Sequence, residues 1–551
     1  MTKFKRISVL LFVFAMLLQT APAVFAKKSS ALTPAVVAKI RKEAMENSQI
    51  MNTLHMYTDV YGPRLTGSPN LEAAGKWSMK QMKEWGFDRV EMEPWDFGSP
   101  GWANQRAIGS IVSPMNDVLD FEVLAWTPGT NGIVTAEAVA LDTPRIQNGD
   151  NPKCLRSPTR AELDAYLASI AGKVRGGIVL AGSPRSLGVN FNPPAKRLSD
   201  EVIAARRRGG PRRRPTPPAN NRPKCPKPEV ATLSGRQIFV RMNQFLSQNK
   251  PAVRINDSRM RHGTIRAFGN RRADPATTPP TVVMRNEDYG RVWRLLKGGH
   301  NVKLEFYIKN TYYPKGATSY NTIGEIAGRG KTKDEVIMMG GHLDSWHSAT
   351  GATDNGIGCA IMMEAGRILK AIGVKPKRTI RIALWSGEEQ GLLGSRAYVA
   401  KHFGTAENPK PAYKKFGGYF NVDSGTGMVR GWSVFGPDAA GKILNDALAG
   451  PFKDVRFEGA NNTTSRRLGG SDHTSFNQAG LPGIGALQDP IEYFTTTWHT
   501  NLDTYERIVE DDVKATAALV AAGVYELAMR DELLPRFSKT EMPRAPAPRG
   551  R

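Results

Sequence analysis

The sequence of 551 residues predicts an α/β fold: a mainly parallel mixed sheet with helices on both faces, together with an inserted β-rich domain. From residue 334 onward, short apolar runs alternate with segments of helical periodicity, which is the pattern of parallel strands joined by helices. The first of these runs, Val336–Met339, is continuously apolar, as expected for a parallel strand buried on both faces. Between residues 126 and 308 the pattern changes to short β-like runs broken by Gly, Pro and Asn, which indicates a separate insert.

The first 26 residues have the features of a secretory signal peptide. Three cations among the first six residues precede the apolar run Ile7–Leu18, and the small residues Val24 and Ala26 suit cleavage after Ala26. This run is too short to span a membrane, and no later segment reaches about 18 consecutive apolar residues. We therefore expect a secreted or periplasmic protein without a membrane span.

The remaining chain is too long for one ordinary domain. Residues 27–125 and 309–532 are predicted to form the two parts of the main domain, and residues 126–308 the insert. Helices are expected over residues 34–59 and 71–85 of the first part. In the insert we expect strands at Gly172–Leu180 and Thr281–Met284, and helical spacing over residues 289–296.

A strongly basic segment lies inside the insert. Residues 204–226 contain two Arg triplets and many prolines, with almost nothing apolar, so a disordered solvated loop is expected. This loop is a local source of the formal net charge of +25. Nucleic-acid binding is not expected, because no aromatic residues alternate with the cations.

The three cysteines fit an oxidising compartment. Cys154 and Cys225 flank the irregular region and are expected to form a disulfide. Cys359 lies in an apolar helical run and is expected to be a buried free thiol.

The second half of the chain contains the clearest elements. Strands are predicted at Val336–Met339, Thr379–Trp385, Gly418–Val422 and Ile484–Leu487, with helices over 354–370, 391–403 and 508–530. The Pro- and Arg-rich residues 533–551 are predicted to form a disordered tail.

Polar residues follow each of these strands. In chain order they are His342 with Asp344, Asp354, Glu388 with Glu389, Asp423, Asp472 with His473, and His499. Each motif alone has an ordinary explanation; Asp354, for example, could simply be a helix N-cap. Because ligands bind at the carboxyl ends of strands in open α/β sheets, we expect these side chains to converge at one edge.

Converging buried carboxylates are costly unless a cation compensates them. Mixed imidazole and carboxylate ligands suit zinc, and one carboxylate shared between two ions suits a two-metal site. The sequence therefore predicts two Zn²⁺ per chain rather than a polar cleft without metal.

These motifs resemble the zinc aminopeptidase family that includes bacterial leucyl aminopeptidases and plasma glutamate carboxypeptidase. The resemblance covers residues 334–505 through GGHLDSW, GATDNG, SGEEQGLLGS, NVDSG, SDHTSF and HTNLDT, and extends more weakly to residues 64–87. GKVRGGIVL and the later TVVM stretch resemble the protease-associated insert of some members. The resemblance implies a zinc exopeptidase-like fold with a protease-associated-like domain.

The resemblance also implies roles for the metal-binding residues. His342 and Asp423 correspond to ligands of one zinc, Glu389 and His499 to ligands of the other, and Asp354 to the bridging ligand.

The remaining motif residues correspond to catalytic and substrate-binding positions. Glu388 matches the general base and Asp344 the residue that orients the first metal-binding histidine, while Asp472 and His473 match a substrate-pocket motif. His347 departs from the family, whose members often have an Asp after the Trp, and it is interpreted as a residue of the pocket rim.

These assignments predict a metallopeptidase acting at the ends of peptide chains. Carboxylates at Asp354, Glu388, Glu389, Asp423 and Asp503 should attract a substrate's free ammonium, so aminopeptidase or dipeptidase action is expected. A carboxypeptidase of the plasma glutamate carboxypeptidase type remains an alternative.

Two further alternatives use the same scaffold. A glutaminyl-cyclase-like single-zinc acyltransferase would be expected to lack a full two-metal set, and a non-catalytic binding protein should have lost ligands or the base. The expected partner is a peptide or dipeptide substrate, and the sequence leaves the oligomeric state open.

Overall fold

The computed structural model describes residues 30–191, 195–207, 225–269, 271 and 274–546. The strands are β1 Arg89–Asp96, β2 Gly101–Ser113, β3 Asp117–Val118, β4 Phe121–Val123, β5 Val134–Leu141, β6 Ile146–Gln147, β7 Leu155–Arg156, β8 Ile178–Ala181, β9 Val253–Asp257, β10 Thr281–Met284, β11 Lys303–Tyr313, β12 Thr318–Ile326, β13 Val336–His342, β14 Thr379–Trp385, β15 Phe416–Asn421, β16 Val429–Phe435, β17 Ala460–Thr463 and β18 Gly483–Gln488. The α-helices are α1 Pro34–Glu46, α2 Ile50–His55, α3 Pro69–Glu84, α4 Arg160–Val174, α5 Asp200–Arg207, α6 Gly235–Asn249, α7 Asn286–Lys297, α8 Ile357–Ala371, α9 Leu393–His402, α10 Asp438–Leu448, α11 His473–Ala479 and α12 Glu510–Met529.

The first of two eight-stranded sheets has the order β1-β12-β14-β13-β15-β18-β16-β17. Its four central strands, β14, β13, β15 and β18, are parallel to their neighbours in this group. Antiparallel pairs lie on either side, between β12 and β14 and between β16 and β18. A mixed α/β fold, predicted from the alternating elements, is therefore confirmed.

Helices cover both faces of this sheet because alternate residues of each central strand point to opposite sides. Ile337 and Met339 of β13 pack in the core that contains residues of α8 and α12. Met338, between them, packs in a second core with residues of α9 and α11. Both faces are apolar, which explains the continuous hydrophobic run that predicted this strand.

The second sheet has the order β3-β2-β11-β5-β8-β9-β10-β4. Strands β5, β8, β9 and β10 are parallel, and helices α4 and α6 pack against β5 and β8. The helix expected at residues 289–296 is α7. The strand expected at Gly172–Leu180 is wrong in its first half, since α4 continues to Val174 and β8 begins only at Ile178.

The boundaries of the second sheet differ from those expected for the insert. Residues 101–123 belong to the second sheet, although they precede the expected start at residue 126, and β11 continues to Tyr313. The chain passes between the sheets at two places, from β1 to β2 and from β11 to β12. Each linker is short, so the two sheets are joined by two nearby connections.

The disulfide between Cys154 and Cys225 is present, and Cys359 is a buried free cysteine, as expected. The prediction of a disordered loop is wrong for residues 204–207, which form the end of α5 next to the buried Ile203. Residues 208–224 lie outside the described residues, as does the predicted signal peptide. In the described part of the chain, no helix is long and apolar enough to cross a membrane.

The prediction of a disordered tail from residue 533 is wrong for its first part. Leu534 is buried, and Phe537 packs edge-on against Phe435. Arg536 donates hydrogen bonds to the backbone carbonyls of Tyr413 and Lys414. Leu534, Arg536 and Phe537 thus attach the start of the tail to the main domain, although its composition predicted disorder.

Candidate metal centre

The predicted metal-binding residues converge at the carboxyl edge of the parallel strands. His342 is the last residue of β13, while Glu389 and Asp423 follow the ends of β14 and β15. Asp354 lies in the turn Ala352–Gly356 that precedes α8, and His499 follows the turn Tyr493–Thr497. The edge at which parallel strands end therefore brings together residues far apart in sequence.

These side chains form two clusters that share Asp354. The potential ligand atoms of His342, Asp354 and Asp423 lie within 4.8 Å of one another, and those of Asp354, Glu389 and His499 do the same. His342 Nε2 lies 3.2 Å from Asp423 Oδ1 and 3.4 Å from Asp354 Oδ1. His499 Nε2 lies 3.0 Å from Asp354 Oδ2 and 2.9 Å from Glu389 Oε2.

The hydrogen bonding of His342 fits a metal ligand. Its Nδ1 lies 2.9 Å from the backbone carbonyl of Asp344, and a carbonyl can only accept, so Nδ1 carries a proton. In the neutral ring, Nε2 then presents a lone pair to Asp354 and Asp423. A lone pair facing two carboxylates is repulsive unless a cation lies between them.

Electrostatics in the second cluster support the same conclusion. The carboxylates of Glu389 and Asp354 raise the pKa of His499 to about 10, although burial alone would lower it. Burial, and then the charge of Asp354, raise the pKa of Glu389 to about 7. Glu389 Oε1 is buried and has no hydrogen-bond partner among the described residues. A divalent cation would satisfy this donor set.

Asp354 is not a helix cap, which excludes its simplest structural explanation. No side-chain capping hydrogen bond is present at the start of α8. Its Oδ1 instead accepts a hydrogen bond from Tyr493 at 3.0 Å. Both carboxylate oxygens face imidazoles, as a bridging ligand requires.

Glu388 is partly buried beside the first cluster and belongs to neither of the two clusters. Its Oε2 lies 4.0 Å from His342 Nε2. Burial, together with the charges of Asp423 and Asp472, raises the pKa of Glu388 well above its usual range, although His342 opposes this. A carboxyl group with a raised pKa is suited to exchanging protons near neutral pH.

The orientation of His342 by Asp344 differs from the expected one. The backbone carbonyl of Asp344 contacts Nδ1, whereas its nearer carboxylate oxygen is 3.7 Å away. The carboxylate accepts hydrogen bonds from the backbone N–H groups of Glu388 and Glu389 and from the hydroxyl of Thr66. Asp344 therefore holds the loop that carries the two glutamates.

The three predicted substrate-binding residues occupy different environments. The ring of His347 is directed to the second sheet, where its Nε2 lies 2.5 Å from the backbone carbonyl of Val123. His347 therefore forms a contact between the segment that follows β13 and strand β4 of the second sheet. Burial lowers the pKa of His347 to about 4 and that of His473 to about 4. Asp472 is buried near the first cluster, and burial raises its pKa to about 7.

Two residues beyond the predicted ligand set fix the position of Asp354. Asp503 accepts hydrogen bonds from the backbone N–H groups of Thr353 and Asp354, at 2.6 and 3.1 Å. The sequence argument included Asp503 only as a source of negative charge. It assigned no role to Tyr493, since a tyrosine at the start of a turn has no pattern that indicates a contact with a carboxylate.

A segment of the second-sheet domain reaches the metal centre. Ile265 and Asn501 exchange hydrogen bonds, with the side chain of Asn501 accepting from Ile265 N at 2.8 Å. The ring of Phe268 contacts that of His499 edge-on, with centroids 5.4 Å apart. Trp346 packs edge-on against Phe268. The insert thus supplies part of the wall around the second cluster.

Comparisons with known proteins agree with this geometry. The model for peptidase family M28 matches residues 321–524. The chain is 32% identical to mouse carboxypeptidase Q over 485 residues, which cover 88% of this chain and 86% of that protein. The chain belongs to peptidase family M28. The family and enzyme class predicted from the sequence, a zinc metallo-exopeptidase of the hydrolases, are confirmed.

Two further comparisons concern a bacterial aminopeptidase and a solved structure. The chain is 30% identical to aminopeptidase YwaD of Bacillus subtilis strain 168 over 230 residues, covering 41% of this chain and 48% of that protein. The crystal structure of a peptidase M28 precursor from Shewanella amazonensis SB2B superposes with a TM-score of 0.61 at 23% identity, covering 92% of this chain and 98% of that one. The likeness to this structure extends over both sheets, while the protease-associated character of the insert stays a prediction.

Proposed function

We propose that the chain is an exopeptidase that binds two zinc ions and cleaves dipeptides or the N-terminal bond of short peptides, with Glu388 as its general base. His342 and Asp423 would hold one ion, Glu389 and His499 the other, and Asp354 both. The observation that carries this proposal is the position of Asp354 between two imidazoles, at 3.4 and 3.0 Å. When bound, the zinc ions would polarise the scissile carbonyl and lower the pKa of bound water, so that a hydroxide nucleophile is available near neutral pH.

The protein's own residues provide the proton transfers and the orientation. Glu388 accepts a proton from the attacking water and donates it to the leaving amine, a role that suits its raised pKa. The carboxylate of Asp344 accepts hydrogen bonds from the backbone N–H groups of Glu388 and Glu389, which fixes the positions of the proposed base and of the neighbouring proposed ligand. Asp503 fixes the backbone at Asp354.

The proposal includes secretion and leaves a second substrate direction to be tested. The signal-peptide pattern ending at Ala26 supports export. The name of the mouse relative, carboxypeptidase Q, favours removal of C-terminal residues as the second candidate.

The decisive experiment measures zinc content and activity on the same sample. A chelator should abolish hydrolysis of a dipeptide library, and stepwise addition of zinc should restore it with two ions bound per chain. Full activity without metal would refute metal catalysis. Full activity with a single ion per chain would refute the two-metal arrangement while leaving the enzyme class intact.

A further inference from the structure

A second cavity lies in the insert, at the carboxyl ends of its parallel strands. It measures about 390 Å³ and opens where β5, β8 and β9 end, between those strands and helix α6. In open sheets of this kind the carboxyl edge is where ligands bind. None of the proposed metal ligands lines this cavity.

Arg254 brings a charge to this cavity that has no counter-ion among the described residues. Its Nε donates to Asn256 Oδ1 at 3.0 Å, and one terminal nitrogen donates to Asn243 Oδ1 at 2.8 Å. Both partners are neutral amides. Burial lowers the pKa of Arg254, which reflects the cost of keeping its charge away from water.

The one carboxylate that lines the cavity is already engaged elsewhere. Asp257 accepts hydrogen bonds from the backbone N–H groups of Arg185 and Arg259 and from the side chain of Asn286. Its position therefore adds negative charge near Arg254 without pairing with it. A buried guanidinium with unused donors is suited to a planar anion.

The opposite wall of the cavity is apolar. It is formed by side chains of strand β5 and helix α6: Leu141, Ile238, Phe239, Met242 and Leu246. Phe239 lines the cavity and is 61% exposed, so part of the apolar surface is open to solvent. The cavity thus combines three arginines, Arg145, Arg254 and Arg259, with a hydrophobic surface.

We propose that this cavity binds a small molecule or chain end carrying one carboxylate next to an apolar side chain. The carboxylate pairs with Arg254, and the side chain packs against the α6 wall. A phosphate is less suited, because Asp257, which also lines the cavity, repels a dianion more strongly than a monoanion. Both a free amino acid and the C-terminal residue of a peptide have the required chemistry.

The test compares the binding of N-acetyl-leucine, leucine, N-acetyl-leucinamide and inorganic phosphate to the intact zinc-loaded protein. N-acetyl-leucine should raise the melting temperature and bind in calorimetry. Arg254→Met should weaken this binding about tenfold or more, which is the expected effect of losing a charge-assisted hydrogen-bonded pair. Arg241→Met is the matched control, because this arginine of helix α6 does not line the cavity and already pairs with Asp164. Both variants retain the metal centre, so binding there is equal in the two.

The outcomes separate the ligand classes and the structural role of Arg254. Binding of both leucine and N-acetyl-leucine supports a site open to peptide ends, and binding of leucine alone supports a free amino acid site. Equal binding of the amide, equal binding of phosphate, or undiminished binding to Arg254→Met would overturn the proposal. If Arg254→Met is unstable, Arg254→Lys retains the charge without the planar fork and should still bind N-acetyl-leucine more weakly than the control.

Discussion

Asp354, Glu388 and Glu389 lie within one small volume, yet their contacts give them different roles. Asp354 faces two imidazoles, and Glu389 contacts His499 at 2.9 Å, so both belong to the clusters that could hold a metal ion. Glu388 lies 4.0 Å from the nearest imidazole and stays outside both clusters. At the scale of single residues, neighbouring glutamates of identical chemistry are distinguished by distances of about one ångström.

Replacing Glu388 and Glu389 one at a time by glutamine distinguishes the proposed general base from the proposed metal ligand. We expect Glu388→Gln to keep two zinc ions and lose a factor on the order of 10²–10⁴ in kcat, because an amide cannot accept the proton. Glu389→Gln, the matched control on the same loop, should bind fewer zinc ions. Metal analysis and kcat of both variants decide the assignment. Loss of zinc from Glu388→Gln with retention in Glu389→Gln would show that the two roles are reversed.

Asp503 acts on the metal centre without being one of its proposed ligands. In Asp503→Asn one acceptor oxygen becomes an N–H group that faces a backbone N–H, so the turn carrying Asp354 should shift. We expect zinc affinity to fall by roughly 10- to 100-fold, as is typical when a residue that orients a ligand is lost. Zinc titration against a competing chelator measures this. Asp446→Asn, at an exposed ion pair with Lys442, is the control that should leave zinc affinity unchanged.

At the scale of elements, periodicity predicted those parts of the chain whose burial is simple. Strand β14 was predicted with its observed bounds, since five of its seven residues are apolar, and α12 lies within two residues of its predicted ends. Helix α4 was missed because its polar and apolar residues are only weakly segregated. Helix α6 lies beside the basic segment, where composition favours a loop.

The tail shows what composition cannot reveal. Residues 533–546 are rich in Pro and Arg, but Leu534 and Phe537 contact the main domain. Burial of a leucine stabilises a fold by about 1.5–3 kcal/mol. Whether so few apolar residues find a surface depends on the tertiary structure, which their sequence pattern does not encode.

Truncation therefore has different consequences at two positions of the tail. Ending the chain after Glu532 removes Leu534, Arg536 and Phe537, and should lower the free energy of unfolding by about 2 kcal/mol or more. Ending it after Pro546 removes none of these contacts and should leave stability unchanged. Denaturant unfolding of the two truncated proteins compares them directly. Equal stability of both would show that the packed tail contributes nothing.

At the scale of the whole molecule, the sequence predicted which candidate ligands converge but not how the two sheets meet. Motifs after successive strands converge because parallel strands end at a common edge, so the two clusters could be predicted without coordinates. The contacts of Phe268 with His499 and of His347 with Val123 join segments with no shared pattern. These contacts depend on the angle between two separately folded sheets, which no local periodicity specifies.

The direction of substrate binding also depends on the whole molecule, because opposing charges surround the site. Five carboxylates at the site, of which Asp354 and Asp503 are buried, favour a substrate's ammonium group, and bound zinc would offset part of their charge. Arg266 instead favours a substrate's carboxylate. Its guanidinium packs on the ring of Trp498, 4.8 Å from the centroid, and it has no carboxylate partner among the described residues. Charges at contact distance outweigh the basic surface, whose field is screened beyond about 8–10 Å.

We therefore expect a free α-amino group to be required next to the scissile bond. A dipeptide, its N-acetylated form and its C-terminal amide are compared at matched concentration. Acetylation should nearly abolish hydrolysis, because it removes the ammonium group that the carboxylates attract, whereas amidation should be tolerated. Arg266→Gln is the accompanying variant and should leave the rate on the amide unchanged. If the acetylated peptide is cleaved as fast as the free one and the amide is not cleaved, the enzyme is a carboxypeptidase. A loss of activity in Arg266→Gln would then identify this cation as the contact for the substrate's carboxylate.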